Sequence, residues 1–257
     1  GSDFGNSCTT DVNGNVYLAG QNNSSSGIAT TGAHQAAYGG GGDAFLVKLN
    51  SSGVRQWGTY YGGTSSDGAS SCAADTSGNI YLGGHTQSSS GIASTGAHQT
   101  SRSSWSMDGF LVKFNSSGVR QWGTYYGGSR GSIQAFGCAA DRGGNVYLSG
   151  YTESYTGIAT TGAHQTSWGG GTFDGFLVKF NSSGVRQWGT YYGGSGNEGS
   201  GDASNICATD TNGNVFLAGN TTSNNRIATT GAHQATYGGG SKDAYLVKFN
   251  SSGVRQW

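Results

Sequence analysis

The segment that decides the fold is NSSGVRQWGTYYGG, which runs from Asn50 to Gly63. The same letters recur at 115–128 and at 181–194, and a further copy begins at Asn250 and reaches Trp257. The strings "GVRQW" and "GAHQ" each occur four times, as do the single cysteines, and all three markers recur at the same spacing. Repetition at a fixed period indicates a protein built from one structural unit used several times, here four units of about 65 residues.

The composition is that of a folded β protein. Fifty glycines, no proline and abundant serine are compatible with a flexible linker. However, the chain also contains 14 Tyr, 10 Phe and 6 Trp, which is far more aromatic surface than a solvated segment carries. We therefore expect a glycine-punctuated β structure that buries its rings.

The charge pattern argues against two classes of partner. Lys plus Arg and Asp plus Glu both number 13, without a run of like charges, so we expect no nucleic-acid partner. The sequence has no apolar stretch of about 18 residues, so we expect no membrane insertion. It shows neither an initiator Met nor a signal peptide, which predicts a mature or excised fragment.

Each unit contains four β segments, which in the first unit are Ser7–Asp11, Asn15–Gly20, Asp43–Asn50 and Gly53–Tyr61. The first two and the last two are joined by short turns that begin with Asp or Asn and end with Gly. That turn chemistry is typical of three-residue β-hairpins. Two hairpins per unit predict a four-stranded antiparallel sheet.

Such a small sheet cannot bury both faces alone, and packing several sheets around an axis solves the problem. We predict an all-β protein, a β-propeller of four four-stranded antiparallel blades of about 65 residues each. A β-solenoid needs shorter repeats and no paired hairpins. A closed ring of four and a slice of a longer array both remain open. The predicted single domain 1–257 divides into blades at approximately 1–61, 62–126, 127–192 and 193–257.

Three motifs carry a family resemblance: D-x-x-G-N-[VI]-[YF]-L, D-[AG]-[FY]-L-V-K and W-G-T-Y-Y-G-G. Together they resemble the bacterial β-propeller repeat known as the SBBP repeat, over essentially the whole chain. The resemblance implies a propeller fold and a place on secreted or surface proteins of bacteria. It implies no reaction and supplies no catalytic residues.

The long connections lie at one end of each predicted sheet, and they carry the differences between units. Variable loops on a repeated scaffold form the usual binding face. The aromatic candidates for a sugar-binding surface on this face are Tyr38, Trp105, Trp168 and Tyr237. The alternative, that these rings fold back onto their own blades, is equally open.

The four GAHQ histidines are also candidate ligand contacts: His34, His98, His164 and His233. A metal site usually has two or more ligands close in sequence, whereas these histidines are one unit apart. We therefore favour a structural role in which each histidine hydrogen-bonds backbone in its own blade. We expect no metal and no cofactor.

The repeated cysteines and the repeated charged residues indicate structural roles. The cysteines Cys8, Cys72, Cys138 and Cys207 occupy equivalent strand positions, so we predict four reduced, buried thiols rather than disulfides. Lysine, arginine and aspartate also recur in every unit, as Lys48, Arg55 and Asp43 do in the first. They predict an ion pair within or between blades.

No constellation of residues in the sequence indicates catalysis, and we expect a protein that is not an enzyme. One predicted function is an extracellular or cell-surface binding and adhesion module, with glycans or other surface proteins bound through the long-loop face. The alternative is a structural spacer or assembly subunit of a larger bacterial surface protein, with self-association open.

Overall fold

The computed structural model describes residues 1–103, 106–199 and 205–257, and within these ranges it consists of β-strands without any helix. The first sheet contains β1 (Asp3–Thr10), β2 (Val16–Asn22), β3 (Asp43–Leu49) and β4 (Arg55–Tyr61). The second contains β5 (Asp67–Ala74), β6 (Ile80–Thr86), β7 (Asp108–Phe114) and β8 (Arg120–Tyr126). The third contains β9 (Ile133–Ala140), β10 (Val146–Thr152), β11 (Asp174–Phe180) and β12 (Arg186–Tyr192). Neighbouring strands in each sheet are antiparallel and follow chain order.

Tight turns encoded by local sequence join these sequential antiparallel strands. In the first hairpin the N–H of Gly14 donates to the carbonyl of Asp11 at 3.0 Å, and Gly14 has a φ of 76°, which only glycine adopts freely. The Asp11 carboxylate accepts the backbone N–H groups of Asn13 and Asn15. The same turn recurs at Asp75, so the predicted hairpins are confirmed.

The fourth sheet departs from the prediction of four strands. It contains β13 (Ile206–Thr209), β14 (Val215–Thr221) and β15 (Asp243–Phe249). Beyond β15 the described chain makes one isolated bridge, between Phe249 and Arg255. The three complete sheets carry an outer strand at this place, and the fourth does not.

The sheets pack face to face in chain order through three hydrophobic clusters. One cluster joins the first and second sheets, another the second and third, and the last the third and fourth. Among the described residues no cluster joins the fourth sheet to the first. The structure is therefore a row of four stacked antiparallel sheets, and it does not show the closed ring that was one of the two expectations.

Each sheet has two different faces. The forward face points to the next sheet along the chain and carries Leu46, whose counterparts Leu111 and Leu177 are likewise 0% exposed. The backward face points to the preceding sheet and carries a second leucine, buried as Leu82, Leu148 and Leu217 in the last three sheets. Each of the three junctions therefore packs the forward face of one sheet against the backward face of the next.

Polar contacts lock each junction. The indole N–H of Trp57 and the ammonium of Lys48 both donate to the carbonyl of Ser116, a turn residue of the second sheet, at 3.1 and 3.0 Å. Tyr61 donates to the carbonyl of Ile92 at 2.6 Å. The predicted ion pair is wrong for this unit, because Lys48 donates to a carbonyl of the next sheet and Arg55 donates to the carbonyl of Gly27, rather than to Asp43. Equivalent contacts to Ser182 and Ser251 hold the other two junctions.

The cysteine prediction is correct only in part. All four cysteines are free thiols, and Cys72 and Cys138 are buried between sheets. Cys8 is exposed and Cys207 is half-buried, which corrects the expectation of four buried thiols. Cys8 differs because it belongs to the first sheet, whose backward face has no described sheet packed against it.

Candidate functional site

The long connection between the second and third strands of a sheet does not project as an open loop. In the first unit the N–H of Thr30 donates to the carbonyl of Gly58 at 3.0 Å, and the N–H of Gln35 donates to the Thr59 hydroxyl at 2.9 Å. The N–H of Tyr60 in turn donates to the Gln35 carbonyl at 3.2 Å. The connection therefore runs back along the outer strand and covers its edge, which would otherwise offer unpaired backbone groups.

Buried carboxylates hold the end of this connection and meet at the junction with the next sheet. Asp43 accepts the N–H of Gly39 and the side-chain amide of Gln35, each at 2.8 Å. A Cβ built on Gly62 would lie under 3 Å from oxygens of both Asp43 and Asp67, so the two carboxylates are near neighbours. Burial raises the pKa of Asp43 to about 6, and the charge of Asp67 adds to the rise.

The junction between the third and fourth sheets repeats this acid pair with Asp174 and Glu198, both 0% exposed. Burial raises the pKa of Asp174 to about 7, and the Glu198 charge raises it further. Burial also raises the pKa of Glu198, against hydrogen bonds from Thr221 and Ser223 that favour its charged form. At the middle junction the position equivalent to Asp67 is Ile133, the first residue of β9, so the second acid is replaced by an apolar residue. Acid pairs thus occur at two of the three junctions.

Two of the predicted loop aromatics fold back onto their own units. Tyr38 is half-buried, its hydroxyl accepts the N–H of Gly42 at 2.7 Å, and its ring lies edge-on to Tyr60 with centroids 6.1 Å apart. Tyr237 donates to the carbonyl of Gly240 at 3.0 Å within the same loop. Both side chains hold the connection in shape. Trp105 lies outside the described residues.

Trp168 is half-buried and takes part in an aromatic row that the sequence reasoning missed. Its ring lies 5.0 Å from Tyr155 and 6.4 Å from Tyr191, in both cases edge-on. Tyr155 is 55% exposed. The signal was present in the sequence, because this unit has Tyr155 where the others have Ser25, Ser89 and Asn224.

The histidines are placed at separate junctions and are not brought together. The His34 ring lies 6.1 Å from Tyr61 of its own sheet and 5.7 Å from Phe114 of the next sheet. Partial desolvation beside these rings, together with the charge of Arg120, lowers the pKa of His34. Equivalent ring contacts are made by His98 and His164, and all four of these histidines are exposed. Across ranges 1–103, 106–199 and 205–257, no group of three His, Cys, Asp or Glu side chains could hold a metal ion.

The fourth unit contains a groove of about 550 Å³ between its long connection and β15. It is lined by Ile227, Thr229, Gln234, Tyr245 and Leu246, among others. Thr229 and Gln234 are the counterparts of the threonine and glutamine that bind the outer strand of the first sheet. The groove is therefore the place that the outer strand fills elsewhere.

A comparison with protein families identifies the repeat. The family model described as a β-propeller repeat, SBBP, matches residues 56–91 and 121–156. Residues 56–91 and 121–156 are SBBP repeats. Each matched SBBP repeat starts on the outer strand of one sheet and ends beyond the second strand of the next, so it spans a sheet–sheet junction. Such repeats build structural or binding modules in which each unit contacts its neighbours.

Two further results limit what can be carried over from other proteins. No curated protein matches the chain. In the part of the chain that the structure describes, no helix is long and apolar enough to cross a membrane.

Proposed function

We propose that this chain is a non-enzymatic structural module whose SBBP repeats assemble end to end, the forward face of its fourth sheet packing on the backward face of the first sheet of a second copy. The supporting observation is one leucine position. It is 0% exposed as Leu46, Leu111 and Leu177, and 57% exposed as Leu246. The end face thus presents the surface that is buried at each internal junction.

The forward face of the fourth sheet also carries the polar clamp. Trp257 is 46% exposed, and its ring lies 6.1 Å from Phe216. The ammonium of Lys248 lies over the same Phe216 ring at 5.5 Å, as that of Lys48 lies over Tyr17 at 5.4 Å. At internal junctions the equivalent lysine and tryptophan donate hydrogen bonds to a serine carbonyl of the next sheet. In the first sheet of a second copy the equivalent serine is Ser51.

The backward face of the first sheet is the matching half. Leu18 is 38% exposed, whereas its counterparts in the other sheets are fully buried. Burying a leucine is worth roughly 1.5–3 kcal/mol, so leaving both end faces in water forgoes a substantial gain. The proposed partner is a second copy or another protein built from SBBP repeats, and the proposed location is extracellular or at the bacterial cell surface.

Analytical ultracentrifugation over a range of concentrations tests this proposal. We expect the wild-type chain to associate, and Leu246→Asp and Leu18→Asp each to remain monomeric because a charge would be buried in the junction. Val254→Asp is the matched control, since this turn valine and its counterparts Val54, Val119 and Val185 are all 56–57% exposed. A wild-type monomer at every concentration, or association that survives both leucine changes, would refute end-to-end packing.

Glycan binding is the second candidate, and one observation favours it. In the third unit the exposed Tyr155 packs edge-on against the half-buried Trp168, and an exposed ring can stack on sugar C–H faces. A glycan array probed with wild type, Tyr155→Ala and the control Val119→Ala separates the outcomes. Binding lost only in Tyr155→Ala supports the site. If the wild-type chain binds no glycan on the array, or if Tyr155→Ala binds as wild type does, the glycan-binding proposal is refuted.

A further inference from the structure

The acid pair at the first junction leaves one buried carboxylate oxygen without a partner. Asp43 is 0% exposed, and its Oδ2 accepts both of its hydrogen bonds, from the side chain of Gln35 and the N–H of Gly39. Its Oδ1 is buried and accepts no hydrogen bond from the residues that the structure describes. An unsatisfied buried charge is costly, so this oxygen needs a proton or a cation beside it.

This oxygen faces the second acid across a space that glycine leaves open. A Cβ built on Gly62 would lie 2.9 Å from Oδ1 of Asp43 and 2.5 Å from Oδ2 of Asp67. Asp67 is also 0% exposed, and three donors bind its carboxylate: Gly63, Thr86 and Ser88. A carboxylate has about four lone-pair sites, so Asp67 retains one acceptor site as well. The space beside Gly62 is therefore lined by carboxylate oxygens from both sheets.

The junction between the third and fourth sheets repeats this arrangement with a longer acid. Asp174 is 0% exposed, and its Oδ1 likewise accepts no hydrogen bond in the described part of the chain. A Cβ built on Gly193 would meet that oxygen and Oε2 of Glu198. Three donors bind the Glu198 carboxylate: Gly194, Thr221 and Ser223. Two different loop sequences therefore place a pair of carboxylate oxygens around one glycine.

The middle junction has the same backbone arrangement without the second acid. The N–H of Ile133 donates to the carbonyl of Met107 at 2.9 Å, as the N–H of Asp67 donates to the carbonyl of Gly42 at 2.8 Å. Ile133 therefore takes the place of the second acid, while Asp108 is the counterpart of Asp43. Because an aliphatic side chain offers no ligand to a cation, this junction is an internal control for the other two.

We propose that the space between the two acids is a calcium site, with one Ca²⁺ ion bound at the first junction and one at the third. Ca²⁺ binds about six to eight oxygens and accepts carboxylates and backbone carbonyls together, whereas Mg²⁺ usually keeps several water molecules. A carbonyl is at hand, because a Cβ built on Gly39 would meet both Oδ1 of Asp43 and the carbonyl of Gly63. The two negative charges match the charge of the ion, and without it the charge of the second acid raises the pKa of the first.

Such an ion would join neighbouring sheets within one chain, so the proposal does not depend on end-to-end packing. At the first junction it would connect β3, which begins at Asp43, to β5, which begins at Asp67. The expectation of no metal rested on the spacing of the histidines, whereas these two acids are 24 residues apart and meet only across a junction. Each site contains two acidic side chains, and backbone carbonyls and water would supply the other oxygens.

Equilibrium dialysis against radioactive Ca²⁺ at pH 8 counts the sites on the full chain after treatment with a chelator. At this pH Asp174, whose pKa is about 7, is largely deprotonated. We expect two ions per wild-type chain, with dissociation constants on the order of 10⁻⁴–10⁻³ M as in extracellular calcium modules, and at least about tenfold weaker binding of Mg²⁺ by competition. No saturable binding, which is the result if the acids hold only a shared proton, would overturn the proposal. One or three ions per chain, or equal binding of Mg²⁺, would overturn it as well.

Three single variants locate the ions. Asp43→Asn and Asp174→Asn each keep a side-chain oxygen for the glycine N–H and remove the charge, so each should bind one ion, and the double variant none. Asp108→Asn makes the same change at the middle junction and should still bind two. Ca²⁺ should also raise the midpoint of thermal unfolding of wild type and of Asp108→Asn, and leave that of the double variant unchanged. Loss of an ion from Asp108→Asn, or two ions in either of the other single variants, would contradict the assignment.

Discussion

Replacing Asp174 by asparagine should change how the stability of the chain depends on pH. Asp174 is 0% exposed and faces Glu198, and burial is the main reason that its pKa rises from 3.8 to about 7. A carboxyl whose pKa is raised by folding favours the folded state while it holds its proton. That contribution is complete below the unfolded value of 3.8 and is lost as the pH rises through about 7.

The size of the effect follows from the shift. One pKa unit corresponds to about 1.4 kcal/mol, so a rise from 3.8 to about 7 amounts to about 4 kcal/mol over the full titration. Between pH 5 and pH 8 the wild-type chain should lose about 2 to 3 kcal/mol from this site. Asparagine does not titrate, and its side-chain oxygen can still accept the N–H that Gly169 donates to Asp174. The stability of Asp174→Asn relative to wild type should therefore increase by that amount between pH 5 and pH 8.

Urea unfolding of both proteins at a series of pH values measures this difference, with tryptophan fluorescence as the probe. Glu198→Gln provides the control, because neutralising the partner removes one cause of the raised pKa. Asp174→Asn should then have a smaller pH-dependent effect in the Glu198→Gln background. A difference between wild type and Asp174→Asn that stays constant from pH 5 to pH 8 would show that the acid pair is not coupled to folding.

Three further outcomes are expected. Leu111→Ala should lower the free energy of unfolding by about 2–5 kcal/mol, whereas Leu246→Ala, at the equivalent but 57% exposed position, should cost less than about 0.5 kcal/mol in dilute solution by denaturant titration. Trp122→Phe should cost about 1 kcal/mol or more, because its indole N–H bond of 3.0 Å to the next sheet's turn is lost, and the midpoint of thermal unfolding should fall accordingly. In the native state a thiol reagent should modify the exposed Cys8 much faster than the buried Cys138, and equal rates would contradict the stacking order.

The hairpins could be predicted from the sequence because the information for them is local. Asp11 and Gly14 supply the turn acceptor and the left-handed backbone within four residues, so no distant contact is needed. The packing role of Trp57 was also predictable, since a tryptophan repeated at one strand position must be buried against something common to every unit.

The route of the long connection could not be predicted in the same way. Its course along the outer strand depends on bonds such as that from Gln35 to Thr59, which join residues 24 positions apart. For the same reason the sequence left open whether Tyr38 faces a ligand or folds back, and the structure shows that it holds the loop against its own sheet. The acid pairs could not be predicted in this way, because Asp43 and Asp67 meet only when two sheets pack. Glu198 stands at the position equivalent to Asp67, five residues after Gly193 as Asp67 is five residues after Gly62.

Because the same sheet–sheet junction occurs three times, the stability of this chain should be approximately the sum of the stabilities of its four sheets and its three junctions. Each inner sheet has two neighbours to stabilise it and each terminal sheet has one, so opening should begin at both ends and move inward. Amide protons of the second and third sheets should consequently exchange last. A protein of this kind has no single nucleus to protect, and adding a unit at either end would raise the stability of the former terminal sheet by one junction.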